Sequence, residues 1–313
     1  MTLGPGHPGT AVSLNNLASL LQDKGDFVGA RSLFDRVLAI REKSLGPEHP
    51  DTAVSLNNLA VLLHAQGDLL EAGPLCERAL AIYEKTLGPE HPNTACGLSN
   101  LALLRLDEGD LAGARPLCER ALAIRENTLG PDHPDTATTI NILARILSQT
   151  GHMEAAEDPF KRAIAVGERA LGQEHPITQR WRSCYARHLL DIGRGAEALP
   201  LAQAALATHE AVSGPDHPWT EDSARVAADA LDALNRRGEA PELRTRHGIG
   251  DRCAEGMTQE LATSQSRRLG PLRVLTGRRR MAVVPPEPVE RLVLLVKQHE
   301  LHIGTHQCSP TWP

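Results

Sequence analysis

Histidine is the most regularly placed residue in this chain that could do chemistry. A metal ion shared by two histidines would need both imidazoles about 2 Å from one centre. Packed helices lie about 8–10 Å apart, so histidines in neighbouring structural units are too far apart to share an ion. We expect each imidazole to hydrogen-bond loop backbone, and we predict no metal site and no cofactor. Six histidines, each followed by a proline, recur every 42 residues: His7, His49, His91, His133, His175 and His217.

A thiol and an imidazole stand one helical turn apart, at Cys184 and His188. A cysteine nucleophile also needs an orienting group and an oxyanion site, and the surrounding sequence argues for neither. The sequence lacks the GxSxG, HExxH and GxxxxGK[ST] motifs of hydrolases and nucleotide-binding enzymes. We therefore predict that the protein is not an enzyme.

The histidines belong to a repeat of 42 residues. Within each unit, apolar residues recur at three- and four-residue intervals in two runs, which predicts two helices. Gly67 ends the first helix of the second unit, and Asp68 can cap the next helix. A single helix pair cannot bury its apolar face, so the units must stack. The glycine of an LGP or related tripeptide marks each step, at Gly4, Gly46, Gly88, Gly130, Gly172 and Gly214.

The unit resembles a tetratricopeptide repeat. Its first run has the pattern LxxLAxxL, from Leu56 to Leu63, and its second run has AxxxCxxA, from Ala72 to Ala79. The usual tetratricopeptide unit has about 34 residues. The longer unit, with LNNLA in the first helix and ERALAI in the second, is similar to the repeats of kinesin light chain and of bacterial arrays. The resemblance covers about residues 1–235 and implies an all-α, right-handed α-solenoid of stacked antiparallel helix pairs.

The period places the array at residues 1–240. In the fifth unit LNNLA has become Arg182 to Ala186, RSCYA, and we expect Trp181 and Trp219 to fill gaps near this divergent unit rather than to anchor a ligand. A helix at 219–235 is expected to cap the array. No such helix precedes the first unit, which leaves three readings open: an exposed end, self-association through the N-terminal repeat, or a fragment of a longer protein. The predicted helix pairs span residues 8–43, 50–85, 92–127, 134–169 and 176–211.

Residues 241–313 lose the period. They hold 11 Lys and Arg against 7 Asp and Glu, a net charge of +4, whereas the whole chain has a net charge of −6. Arginine clusters and a PPEP run predict a largely disordered tail, with one short helix at 289–301. The clusters lack interleaved aromatic residues and the chain as a whole is acidic, so we do not expect nucleic-acid binding.

Composition indicates where the protein resides. No apolar run reaches the roughly 18 residues that a membrane span needs. The N-terminus, MTLGPGHPGT, lacks the basic start and apolar core of a signal peptide. We therefore expect no membrane association and a cytoplasmic location. The six cysteines form no CxxC pair, and Cys76 and Cys118 occupy one core position of successive units, which favours buried thiols.

Asparagine is the residue that best indicates function. Asparagine is unfavourable inside helices, yet it recurs midway along the first helix of four units. The resemblance places these first helices on a concave groove, where amides can bind a peptide backbone or a terminal carboxylate. The alternative is that the amides bond between adjacent helices and specify stacking, and the two roles are compatible. The predicted groove residues are Asn15, Asn16, Asn57, Asn58, Val61, His64, Ser99, Asn100, Asn141, Arg145 and Arg187.

The resemblance implies a non-catalytic protein–protein interaction scaffold that binds an extended peptide in the concave groove. Arg145 and Arg187 make the fourth and fifth units more basic than the amide-lined early units, which favours a ligand with an acidic segment there. Ordinary solvated arginines explain the same pattern equally well. The alternative function is a sensor or regulatory fragment of a larger tetratricopeptide signalling protein that is linked to an ATPase or an effector.

Overall fold

A computed structural model describes residues 7–236 and 238–250, and all regular secondary structure in this part of the chain is α-helical. The first ten helices form five antiparallel pairs that stack in sequence, α11 packs on α9 and α10, and α12 packs on α11. The predicted all-α solenoid is therefore confirmed. The helices are α1 Pro8–Asp23, α2 Phe27–Leu45, α3 Pro50–Ala65, α4 Leu69–Thr86, α5 Pro92–Asp107, α6 Leu111–Thr128, α7 Pro134–Gln149, α8 Met153–Ala170, α9 Pro176–Asp191, α10 Gly195–Ser213, α11 Pro218–Ala233 and α12 Glu239–Arg246.

Each predicted pair ends one or two residues before the observed second helix does.

The connectors between successive pairs share one conformation, which the connector before α3 illustrates. Gly46 has φ 98° and ψ 159°, a region that essentially only glycine adopts. The hydroxyl of Thr52 donates to the carbonyl of Gly46 at 2.8 Å. Nδ1 of His49 accepts from the backbone N–H of Asp51 at 3.1 Å, and Pro50 opens α3.

The other connector histidines repeat this cap at 3.0–3.2 Å, so each imidazole bonds backbone as expected, although the donor N–H lies in the first turn of the following helix rather than in the loop. The turn inside each pair is capped differently. Oδ1 of Asp68 accepts from the backbone N–H of Glu71 at 3.3 Å, as predicted. Asp26 and Asp110 cap α2 and α6 in the same way, at 2.9 Å. Short-range hydrogen bonds thus fix both ends of the first three units, whereas His152 and Arg194 make no side-chain cap bond before α8 and α10.

The first helices of successive pairs form the inner, concave layer of the solenoid. They approach one another more closely than the second helices do, since α3, α5, α7, α9 and α11 contact each other in turn. The second helices lie outside and are bridged by repeated ion pairs. The guanidinium of Arg78 lies 2.9 Å from the carboxylate of Glu42, and Arg120 with Glu84 and Arg162 with Glu126 repeat this pair at 2.6 and 2.8 Å.

Stacking depends on a buried socket in which a residue of each second helix faces a residue of the next first helix. In the first unit Arg41 is large and Ser55 is small, and the guanidinium donates to the Ser55 hydroxyl at 2.9 Å. In the fourth unit the second helix supplies the small residue, Gly167, and the next first helix supplies the large one, Trp181. A Cβ added to Gly167 would lie 2.7 Å from Cζ3 of Trp181. The other large-to-small pairs are Tyr83 with Gly97, Arg125 with Thr139 and His209 with Ser223.

Trp181 is fully buried in this socket. Its indole fills the space that an arginine, tyrosine or histidine fills from the opposite side in the other units. The expectation that Trp181 fills a gap near the divergent fifth unit is therefore confirmed.

The C-terminal end of the array differs from the prediction. The predicted boundary at residue 240 lies inside α12, Glu239–Arg246, so the predicted cap at 219–235, which corresponds to α11, is not the last helix. Ala240 and Ile249 are buried. This helix has only eight residues, and Pro241 suggests a loop, although proline is tolerated in the first turn of a helix. The predicted helix at 289–301 lies outside the described residues.

Candidate functional site

Asparagine side chains connect the inner helices of the first three repeats. Nδ2 of Asn58 donates to Oδ1 of Asn15 at 2.9 Å, and Nδ2 of Asn100 donates to Oδ1 of Asn57 at 2.9 Å. Nδ2 of Asn57 lies 4.0 Å from Sγ of Cys96, and Nδ2 of Asn100 lies 3.9 Å from the same sulfur. The two bonds between amides, and the contact of Asn57 with Cys96, are those that the stacking role requires, because each joins one repeat to the next.

The series of amide bonds stops at Asn141. This residue is equivalent to Asn57, and it is 1% exposed, yet neither its Nδ2 nor its Oδ1 has a hydrogen-bond partner. In the earlier repeats the donor comes from an asparagine in the next unit, whereas Cys184 occupies that place in the fifth unit. The loss of the LNNLA pattern therefore leaves a buried amide unsatisfied.

The predicted groove residues differ in their accessibility. Asn16 is exposed, and Asn15, His64, Arg145 and Arg187 are half-buried. Of these five side chains, that of His64 is only 9% exposed and lies against Asp107, whereas the other four lie partly or fully at the surface. The remaining predicted groove residues are buried between helices: Asn57, Asn58, Val61, Ser99, Asn100 and Asn141.

Asp107 joins three inner helices. Its carboxylate accepts from Nε2 of His64 on α3 at 2.8 Å and from the guanidinium of Arg145 on α7 at 2.7 Å. Burial alone would raise the pKa of Asp107. The charge of Arg145 and the contact with His64 outweigh burial, and they lower the pKa to about 2. The carboxylate is therefore ionised at neutral pH and links α5 to both of its inner neighbours.

This lowered pKa predicts an acid-sensitive contribution to stability. A carboxyl group whose folded pKa lies below its unfolded pKa stabilises the fold above the unfolded value and loses that effect as the pH falls through the folded value. We expect Asp107→Asn to lower the free energy of unfolding by about 2 kcal/mol at pH 7. The difference from the unchanged protein should shrink between about pH 5 and pH 2, as urea denaturation at each pH would measure. A difference that stays constant with pH would contradict the role of Asp107.

The arginines of the inner layer are also paired. Arg187 on α9 contacts Asp229 on α11 at 2.5 Å, and Arg180 contacts Asp222. Burial would lower the pKa of the Arg180 guanidinium, but the charge of Asp222 raises it above its ordinary value. The arginines that made the fourth and fifth repeats look basic in sequence therefore carry aspartate partners from adjacent repeats.

A polar cleft of about 370 Å³ opens between α7, α9 and α11. Arg145, Arg180, Arg187, Cys184 and His188 are among its lining residues. His188 is 1% exposed, burial lowers its pKa, and its Nδ1 lies 2.9 Å from the hydroxyl of Ser148. The cleft thus brings together two predicted groove residues, and the imidazole of His188 is directed to a serine rather than to the thiol of Cys184.

No cluster of three or more His, Cys, Asp or Glu side chains that could hold a metal ion occurs within 7–236 and 238–250. No helix in that part of the chain combines the length and the apolar character that crossing a bilayer requires.

The sequence pattern of the tetratricopeptide repeat matches residues 9–72, 56–110, 93–169 and 178–243, which together exceed half of the chain. The chain belongs to the tetratricopeptide repeat family. No curated protein matches it.

Two solved structures are similar to this tetratricopeptide chain. A variant of the nearly identical TPR-like repeats of a candidate kinesin light chain from Podosopora anserina is 31% identical to this chain. The match covers 66% of this chain and 97% of that chain, with a TM-score of 0.50. BtubC (BKLC) from P. vanneervenii is 18% identical, over 86% of this chain and 99% of that chain, with a TM-score of 0.51. The similarity to BtubC shows only that the fold is shared.

The side of α1 that faces away from the second repeat carries two exposed apolar residues. Val12 is 52% exposed and Leu20 is 38% exposed, whereas Leu62 and Leu104, which are equivalent to Leu20, are buried by the preceding repeat. This is the surface through which self-association was expected, and self-association stays a prediction.

Proposed function

We propose that this tetratricopeptide protein is a non-catalytic scaffold that binds an extended peptide along its inner layer of helices. The observation that carries the proposal is the polar cleft between α7, α9 and α11, which is open, about 370 Å³ in volume and lined by Arg145 and Arg187. A cleft of that volume lies within the usual range of ligand sites. The family to which the chain belongs supports a protein or peptide as the ligand.

The asparagines contribute to the proposal in two ways. The accessible amides of Asn15 and Asn16 can bind a peptide backbone, since an amide offers both a donor and an acceptor. The buried amides of Asn57, Asn58 and Asn100 hold the inner helices in register and so shape the surface that the ligand meets. Asn16 is thus assigned to binding and Asn57, Asn58 and Asn100 to stacking, while Asn15 takes part in both.

The charges of the cleft favour an acidic segment in the ligand near the fourth and fifth repeats. Among the lining residues, Arg145, Arg180, Arg187 and Arg225 outnumber Asp191 and Asp222. The aspartate partners compensate part of this positive charge, so we expect the ligand to compete with Asp107, Asp222 and Asp229 for the guanidinium groups. Contacts of this kind give modest affinity with a marked dependence on salt.

The proposal is tested with peptides selected by display against the intact protein. We expect Arg145→Gln to weaken binding of a selected peptide about tenfold, because one charge-assisted contact contributes about 1.5–3 kcal/mol. The matched control is Arg162→Gln on the outer layer, whose guanidinium lies 2.8 Å from Glu126, much as Arg145 lies 2.7 Å from Asp107. Titration calorimetry measures both variants. Equal affinity of the two variants would place the ligand outside the inner layer.

A second set of variants separates the two roles of asparagine. Asn16→Ala should weaken binding while it changes the free energy of unfolding by less than about 0.5 kcal/mol. Asn58→Ala and Asn100→Ala should each lower that free energy by about 1 kcal/mol, since each removes a hydrogen bond between repeats. If the triple variant keeps full affinity while stability falls, the asparagines serve stacking alone.

A further inference from the structure

The two ends of the described array touch each other. The ring of Phe27, at the start of α2, lies 6.3 Å from the imidazole of His217, in the connector before α11. A Cβ added to Gly25, in the turn between α1 and α2, would lie 3.8 Å from Cδ2 of the same imidazole. Repeats two to five separate these residues in sequence, so the contact is made only because the array curls back on itself.

The contact continues as a row of aromatic rings. The imidazole of His217 packs edge-on against the indole of Trp219 at 5.2 Å, and Trp219 lies 5.7 Å from the ring of His209. Aromatic side chains make up only 3% of the whole chain. An aromatic pair is attractive beyond the burial of its area. A weak but specific attraction therefore operates where the two ends meet.

Burial distinguishes His217 from the other connector histidines. It is 7% exposed, whereas His7 is exposed and the four histidines between them are half-buried. All six make the same cap bond to backbone, so the cap does not account for the difference. The rings of Trp219 and Phe27 lie next to the imidazole of His217, at 5.2 and 6.3 Å between ring centres.

The arrangement of the rims explains how the ends meet. The turns inside the helix pairs lie along one rim of the solenoid, and the connectors lie along the opposite rim, because the helices of each pair are antiparallel. Phe27 belongs to the first rim and His217 to the second. After one superhelical turn, the rim that carries the connectors lies next to the rim that carries the turns inside the pairs. The contact between His217 and Phe27 is made there.

We propose that Gly25, Phe27, His217 and Trp219 form a reversible seam that closes the superhelix and holds its pitch. While the seam is closed, the side opening between the first repeat and the sixth connector is blocked. When it opens, the superhelix extends and the inner layer becomes accessible from that side. Because one aromatic pair, Phe27 with His217, and the close approach of Gly25 to the same imidazole join the two ends, opening of the seam costs little and precedes any global unfolding.

Hydrogen exchange in the full-length chain tests the seam at long range. We expect Phe27→Asp to speed exchange of the backbone amides of residues 214–220 about threefold to tenfold, the range that a loss of one or two aromatic contacts gives. The matched control is Val28→Asp, which adds the same charge one residue away at a side chain that is 80% exposed. Equal exchange at residues 214–220 in the two variants would overturn the proposal.

A reciprocal pair of variants guards against local damage to the first repeat. His217→Asn keeps a side chain that can cap α11 and removes the ring from the seam. We expect it to speed exchange at residues 24–29, whereas His133→Asn, which changes the equivalent histidine of an inner connector, should leave those residues unchanged. In small-angle X-ray scattering, His217→Asn should also increase the maximum dimension of the particle. An unchanged dimension together with unchanged exchange at residues 24–29 would refute the seam.

Discussion

Replacing Trp181 by alanine is expected to lower the free energy of unfolding by about 3–5 kcal/mol, the usual cost of truncating a buried aromatic side chain. The indole is fully buried between the fourth and fifth repeats. Gly167 on the facing helix has no side chain that could fill the cavity left behind. Urea denaturation at constant m-value measures the loss. The control is Leu70→Ala, at a side chain that is 89% exposed, which should change the free energy by less than about 0.5 kcal/mol.

The socket formed by Gly167 and Trp181 allows a sharper test, in which the large and the small residue exchange places. Gly167→Tyr alone should prevent normal stacking, because even a Cβ at that position would lie 2.7 Å from Trp181. The double variant Gly167→Tyr, Trp181→Gly rebuilds the arrangement of Tyr83 and Gly97 in the second repeat. We expect it to be more stable than either single variant, with a coupling free energy of about 2–3 kcal/mol. Additive effects would show that the two positions do not share one socket.

Local chemistry explains why so much of the fold could be predicted. The start of α3, for example, depends on residues within a few positions of each other: Gly46, His49, Pro50 and Thr52. Such signals are visible in any single unit, and the fixed period repeats them. The helix pairs were therefore predictable to within one or two residues at their C-terminal ends. The short helix α12 was missed because it belongs to no unit and its Pro241 resembles a break.

The candidate site was less predictable because its charges pair across repeats. From the sequence we expected Arg187 to be part of a basic surface, but Asp229 of the next repeat neutralises it. The sequence nevertheless contained a signal for these ion pairs. Arg180 with Asp222 and Arg187 with Asp229 are pairs of opposite charge one period apart on inner helices. In a solenoid, residues one period apart are neighbours, so opposite charges at that spacing predict ion pairs.

The roles of the asparagines were also only partly predictable from the sequence. Its recurrence within helices correctly singled out the inner layer, but sequence could not decide whether an amide meets a neighbouring amide or a ligand. Asn57 and Asn58 are adjacent in sequence, and they bond in opposite directions along the stack, to Asn100 and to Asn15. Accessibility separates the two roles, and it depends on how closely the repeats pack.

Asp229 provides the strongest test of the charges in the site. Its carboxylate is 14% exposed, and it accepts from Arg187 at 2.5 Å and from Arg244 of α12 at 3.0 Å. Asp229→Asn keeps the shape and removes the charge. We expect a loss of about 2 kcal/mol in the free energy of unfolding, the scale of a hydrogen bond to a charged group. Since Arg244 attaches α12, exchange of the amides of residues 239–246 should speed up more than exchange elsewhere.

The same variant should bind an acidic peptide more tightly, although it is less stable. Asp229→Asn removes the carboxylate that competes with the ligand for Arg187, a change of about 1 kcal/mol or about fivefold in affinity at low salt. Asp191→Asn is the matched control, because Asp191 lies in the lining of the cleft but makes no ion pair with an arginine among the described residues. It should raise affinity less and leave stability unchanged. Equal gains from the two variants would reflect net charge alone and would exclude Arg187 as a contact, whereas a larger gain for Asp229→Asn that disappears in high salt would identify Arg187 as the cation that an acidic ligand shares with the fold.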